Sequence, residues 1–249
     1  MARLNKFLFE VSNLRRIENR NHRSIPITED AFLKMKEKNC KQAEKNVIYR
    51  GIKKGTKEKY LFIEPSEHTR VSEYTENWYM LLMELLPQWK EFPKLSKSII
   101  CTTRINEADN WGDIYRVYPY DGAVLAVAPY RHFWGSFDLT MPEVNEVIIM
   151  LLKLFKMDIH DNETDPNVLK RALSKIDAMD KSKITTDELS NIFVENIFTS
   201  IKYGVPVLKA LAKLLPANKF KLIKVGDRIP GNVQVWTESP CLLEYIGEG

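Results

Sequence analysis

Lys97-Ser98-Ile99-Ile100-Cys101-Thr102-Thr103, placed downstream of Val47-Ile48-Tyr49-Arg50-Gly51, decides how this chain is read. Each stretch is a short apolar run closed by polar residues, the pattern of a strand that stops at a turn or a cleft. An arginine closes the first run and hydroxyls close the second. Arginine carries a fixed fork of donors suited to a diphosphate or a ribose oxygen. Hydroxyls on a neighbouring strand end would complete a cleft for a phosphorylated ligand, provided that they face the same side as Arg50.

Outward from these runs, residues 60–63 read as the partner strand of 47–50, across a basic stretch around Lys54-Gly55-Thr56. Strands are expected at 98–102, 114–117 and 123–128, with Tyr120-Asp121-Gly122 as the turn joining the last two. Further strands fall at 219–225, 233–236 and 241–246. Helical periodicity marks 73–89, where Trp78, Leu81, Leu82 and Leu85 share a face, then 142–155, 165–176, 186–200 and 206–215. The expected class is α+β, with a mixed or antiparallel central sheet and a helical insertion at about 142–215. Residues 1–46 form a basic amino-terminal region: a helix at 6–18, then Ser24-Ile25-Pro26-Ile27-Thr28-Glu29-Asp30 as a turn leading into a second, charged helix, with Thr28 as its candidate cap. Residues 47–249 form the core.

Composition excludes several classes. At 249 residues, 44% apolar and 28% charged, the chain reads as soluble and globular. A net charge of +4 permits a polyanionic partner without demanding one. Cys40, Cys101 and Cys241 are odd in number and widely spaced, which predicts free thiols in a reducing, cytoplasmic setting. Four scattered histidines and no paired-cysteine spacing argue against zinc, so no metal is expected. His132 and His160 read as surface or hydrogen-bonded residues. Residues 158–165 are rich in Asp and Asn but lack the glycine and closing glutamate of a calcium loop. Gly51-Ile52-Lys53-Lys54-Gly55-Thr56 lacks P-loop spacing, and no nucleophile elbow occurs. Residues 1–10 contain no long apolar core of a leader peptide. Residues 147–155 are too short to span a bilayer and include Lys153.

The order Tyr49-Arg50-Gly51, Ser98 to Thr103, Ala108, Trp111-Gly112, and the paired strand region 115–128 resembles the ADP-ribosyltransferase superfamily. The resemblance implies NAD as cofactor, with ADP-ribose passed to a macromolecular acceptor, protein or nucleic acid. It implies that Arg50 contacts phosphate or ribose and that Thr102 or Thr103, with Ser98, shapes the nicotinamide side. Trp111 or Tyr79 would stack on nicotinamide. In the family a glutamate on a late strand stabilises the oxocarbenium-like transition state, and here Gln234 stands in that place. A glutamine can bond a ribose hydroxyl but brings no negative charge. Transfer would therefore draw on another carboxylate, for which Glu238 is the first candidate. Glu143 and Glu146 share one helix face and read as a solvated helix start. Such a protein fits a cytoplasmic bacterial or phage setting, away from membranes.

Two other classes compete. Arg15, Arg16, Arg20 and Arg23, reinforced by Lys53, Lys54, Lys57 and Lys59, would give salt-sensitive DNA or RNA binding without catalysis. Tyr118, Tyr120, Tyr130, Phe133 and Trp134 would then stack bases, although aromatics at strand spacing more often fill a core. A structural or partner-binding protein would instead present the helix at 147–155.

Overall fold

The computed structural model describes residues 23–52, 55–56, 58–65, 78–131, 133–137, 141–154, 165–181 and 192–247. The helix expected at 6–18, Arg15, Arg16, Arg20, Tyr79's side chain and the 158–164 stretch lie outside the described residues.

Among the described residues, nine strands form one antiparallel sheet. In chain order they are β1 (Arg23–Pro26), β2 (Ile48–Ile52), β3 (Tyr60–Glu64), β4 (Ile99–Thr102), β5 (Asp113–Pro119), β6 (Val124–Val127), β7 (Lys221–Lys224), β8 (Gln234–Thr237) and β9 (Cys241–Gly247). The described helices are α1 (Glu29–Asn39), α2 (Trp78–Leu85), α3 (Ile105–Asp109), α4 (Met141–Leu154), α5 (Pro166–Ala178), α6 (Ile192–Lys202) and α7 (Val207–Leu211). The class is α+β, as the alternating and helical periods indicate.

Strand order across the sheet is β1-β3-β9-β5-β2-β4-β8-β6-β7. This order cannot lie flat. Glu238-Ser239-Pro240 alone join β8 to β9, which stand four places apart. Four strand spacings amount to about 19 Å, whereas the step from Thr237 to Cys241 spans at most about 14 Å of extended chain. The sheet therefore curls, bringing β9 round towards β8. Its inner face carries Cys101, Val117, Leu125, Val235, Cys241 and Leu243, all buried in one apolar cluster with Ile48 and Leu61. On the outer face, Ile100, Ala126 and Trp236 lie side by side in register. Helices α2 and α4 to α7 pack over them, burying Leu82, Leu151, Leu173, Phe198 and Leu211 in a second cluster with Trp236.

Several expectations change. Residues 60–63 form a strand, but its partners are β1 and β9, while β2 lies between β5 and β4. Ser24-Ile25-Pro26 belongs to β1, not to a turn. Proline is tolerated there because β1 is an edge strand. The main sheet thus begins before residue 47. The turn at Tyr120-Asp121-Gly122 forms, with Gly122 at φ 83° and Ala123 N–H donating to Tyr120 O at 3.1 Å. It does not close a hairpin. The Asp121 carboxylate accepts from the Lys41 and Gln42 amides, at 3.1 and 2.8 Å, which anchors the turn beyond α1 while β5 and β6 take different partners. Thr28 caps α1 as its sequence indicates, accepting from Ala31 N–H at 3.3 Å.

Candidate functional site

The register separates the residues at the heart of the sequence reading. Tyr49 lies opposite Thr102, and Thr102 lies opposite Gln234. Registered neighbours share a face and successive residues alternate. Tyr49, Thr102 and Gln234 therefore form a row on the outer face, and Arg50 points to the inner one. The shared cleft of Arg50 and Thr102 is not formed. Arg50 Nη1 instead donates to the Ile100 carbonyl at 2.8 Å. Its charge opposes, without overcoming, the burial that pushes the Cys101 thiol up to about 12.

The hydroxyls serve the backbone. Ser98 Oγ donates to Lys94 O at 2.7 Å. Thr102 is buried and its Oγ1 accepts from the Arg104 amide at 3.1 Å, turning the chain out of β4 into α3. Thr103 Oγ1 accepts from Val233 N–H at 3.0 Å, while Thr103 N–H donates to Val233 O at 3.0 Å. Gln234 Oε1 accepts from the Phe133 amide at 2.7 Å, holding the loop after β6 against β8. Trp111 follows α3, and its Cβ closes over Gly51, where an added methyl would sit 2.6 Å from it.

Glu238 is remote from this row. It lies just past the far end of β8, four residues from Gln234, or about 13 Å along an extended strand. Its carboxylate accepts from the Lys94 amide and borders a shallow groove of about 250 Å³ lined by Glu91, Phe92, Pro93, Val124, Thr237 and Ser239. The stacking aromatics divide as well. Phe133 and Tyr118 are core residues, whereas Tyr130 is exposed. Phe133 packs edge-on to Trp236 at 5.2 Å between ring centroids. Glu146 is exposed on α4. The side chains of Glu143, His132, Trp134 and Arg23 lie outside the described set.

What gathers at the carboxyl end of β4 is a set that the sequence reading missed. Arg104 Nη1 donates to Asn232 Oδ1 at 3.1 Å and lies 3.5 Å from Glu107 Oε1. Arg131, from the loop after β6, approaches the same Glu107 oxygen at 3.8 Å. The Glu107 side chain is 13% exposed, against 37% for Arg104 and 53% for Arg131. Among the described residues, two cations thus converge on one largely covered anion, with both guanidinium groups accessible to solvent. Asn232 holds φ at 62°, a left-handed conformation that asparagine tolerates better than most side chains. Arg104 was legible as the first residue past the hydroxyl strand, with Glu107 one helical turn on. Arg131 and Asn232 are brought in by the fold alone.

Among the described residues, no group of three His, Cys, Asp or Glu side chains is placed to hold a metal, and no helix is long and apolar enough to cross a membrane. The three cysteines are free and buried. No protein-family model, curated protein or solved structure matches the chain.

Proposed function

We propose that this chain binds NAD or a closely related dinucleotide at the carboxyl end of β4. The observation that carries the reading is the meeting of Arg104 and Arg131 on the single carboxylate of Glu107. Guanidinium groups recognise phosphate through paired, charge-assisted hydrogen bonds. Here they take the part that the family resemblance assigns to Arg50. The Asn232 carboxamide stands beside Arg104 and Gln234 follows two residues on, so amide groups are at hand for ribose hydroxyls.

Transfer of ADP-ribose to a macromolecule is a second reading, favoured by Glu107. A largely covered carboxylate near the Gln234 row could supply the negative charge that Gln234 lacks. The two readings differ in turnover. Under the binding-only reading the wild-type chain releases no nicotinamide from NAD, and Gln234→Glu introduces release by restoring a carboxylate. Glutamate can still accept the Phe133 amide bond, so the loop should hold. Release by wild type that Glu107→Gln abolishes would establish the transfer reading instead.

A further inference from the structure

Positive charge is dense in two parts of this protein: residues 1–63, with sixteen lysines and arginines against seven acids, and a stretch near the carboxyl end. Between Glu195 and Glu238 the sequence carries seven lysines and arginines and a single acid, Asp227. That stretch has a net charge of +6, against +4 for the whole chain, so the rest of the molecule sums to −2. The stretch runs from within α6 through α7 and β7, an edge strand of the sheet, to the end of β8. Six of its apolar residues are committed inward: Val207, Ala210, Leu211, Leu214, Leu215 and Phe220 are all in the helical core. The cations are left on the outside. Lys202, Lys209, Lys213, Lys221, Lys224 and Arg228 are all exposed. Lys209 lies on the side of α7 away from Val207, Ala210 and Leu211, and Lys213 follows in the turn after the helix. Asp227 spends one carboxylate oxygen on the Lys224 amide at 2.8 Å.

An exposed aromatic accompanies the charge. Tyr203 directly follows α6 and is 82% exposed, the most open of the large apolar or aromatic side chains among the described residues. A ring held in water beside lysines is a surface on which a nucleobase can stack.

We infer that the rim formed by the end of α6, α7 and the β7 edge binds single-stranded nucleic acid, with lysines tracking phosphates and Tyr203 stacking on a base. Lysine meets a phosphate as a point charge and carries no paired donor fork for base edges, so binding is independent of sequence. Stacking favours a single strand, whose bases are open, over a duplex or an anionic lipid surface. The inference stands independently of dinucleotide binding, since no residue is shared between the two sites.

The test is fluorescence anisotropy of a labelled oligothymidylate titrated with the full chain at low and moderate salt. With five phosphate contacts, affinity should fall about a hundredfold between roughly 50 and 200 mM salt. The triple variant Lys209→Gln/Lys213→Gln/Lys224→Gln, whose β7 member shares the outer sheet face with α7, should bind more weakly, and its salt effect should shrink to less than about tenfold. Tyr203→Ala should weaken binding about fivefold or more at both salt concentrations, leaving the salt dependence unchanged. All substitutions are at exposed positions, and circular dichroism checks the fold. Absence of binding by the folded wild type at low salt would overturn the inference. So would binding that survives the triple variant but is lost in Arg15→Gln/Arg16→Gln/Arg20→Gln, which would place the contact in the amino-terminal segment. Equal or tighter lysine-dependent binding to equimolar phosphatidylcholine–phosphatidylserine vesicles would assign the rim to lipid instead.

Discussion

Burial gives the three thiols a common character. Cys40 and Cys101 are each held at about 12, against an ordinary 9.0, and Cys241 is raised well above that value, in every case chiefly by burial. A buried thiol resists losing its proton, so these cysteines are poor nucleophiles at neutral pH. A group whose folded pKa is raised holds its proton longer in the folded state than in the unfolded one. Its contribution to stability is whole below the unfolded value and is lost as pH climbs towards the folded value. Stability should therefore decline as pH rises from 9.0 to about 12, read as a falling urea midpoint. At neutral pH a thiol reagent should label none of the three rapidly until denaturant is added. That free thiols are present follows from their number and spacing in the sequence. That they are inert follows from the curl of the sheet, which the spacing does not contain.

At the scale of elements, the contact between β2 and α3 fixes where the arginine cluster stands. Gly51 lies under the end of α3: a methyl there would sit 2.1 Å from the Ala108 carbonyl oxygen and 2.6 Å from Trp111 Cβ. Backbone cannot swing aside as a flexible side chain can. Gly51→Ala should cost on the order of 1–3 kcal/mol in denaturant unfolding and should displace α3, and with it Arg104 and Glu107. An unchanged midpoint would show that this packing is not needed. Strand and helix positions were largely legible, because alternation in β4 and β5 and the helical period in α4 and α5 are local signals. Pairing was not. Residues 60–63 follow 47–50 closely in sequence, yet β3 joins β1 and β9, a choice made by the curled sheet burying Leu61 and Ile63. A proline in β1 concealed a strand that its edge position permits.

For the whole molecule, one curled sheet explains both the core and the failure of the simplest site. Because β4 lies between β2 and β8, and side chains alternate along each strand, an arginine one residue past Tyr49 must face away from Thr102. No reading of composition or motif order carries that parity, since it depends on which residues are paired. The same sheet gathers Arg104 from the end of β4, Asn232 from the approach to β8 and Arg131 from the loop after β6. These three are separated by up to 128 positions in the chain. The central claim is that this gathering, and not Arg50, holds a dinucleotide. Calorimetric titration of NAD into wild type, Arg104→Ala and Arg50→Ala, each checked for fold, tests it most directly. Wild type should bind, Arg104→Ala should lose at least about tenfold in affinity, the loss of one charge-assisted hydrogen bond, and folded Arg50→Ala should bind as wild type does. No binding by folded wild type, or a loss confined to Arg50→Ala, would contradict the account.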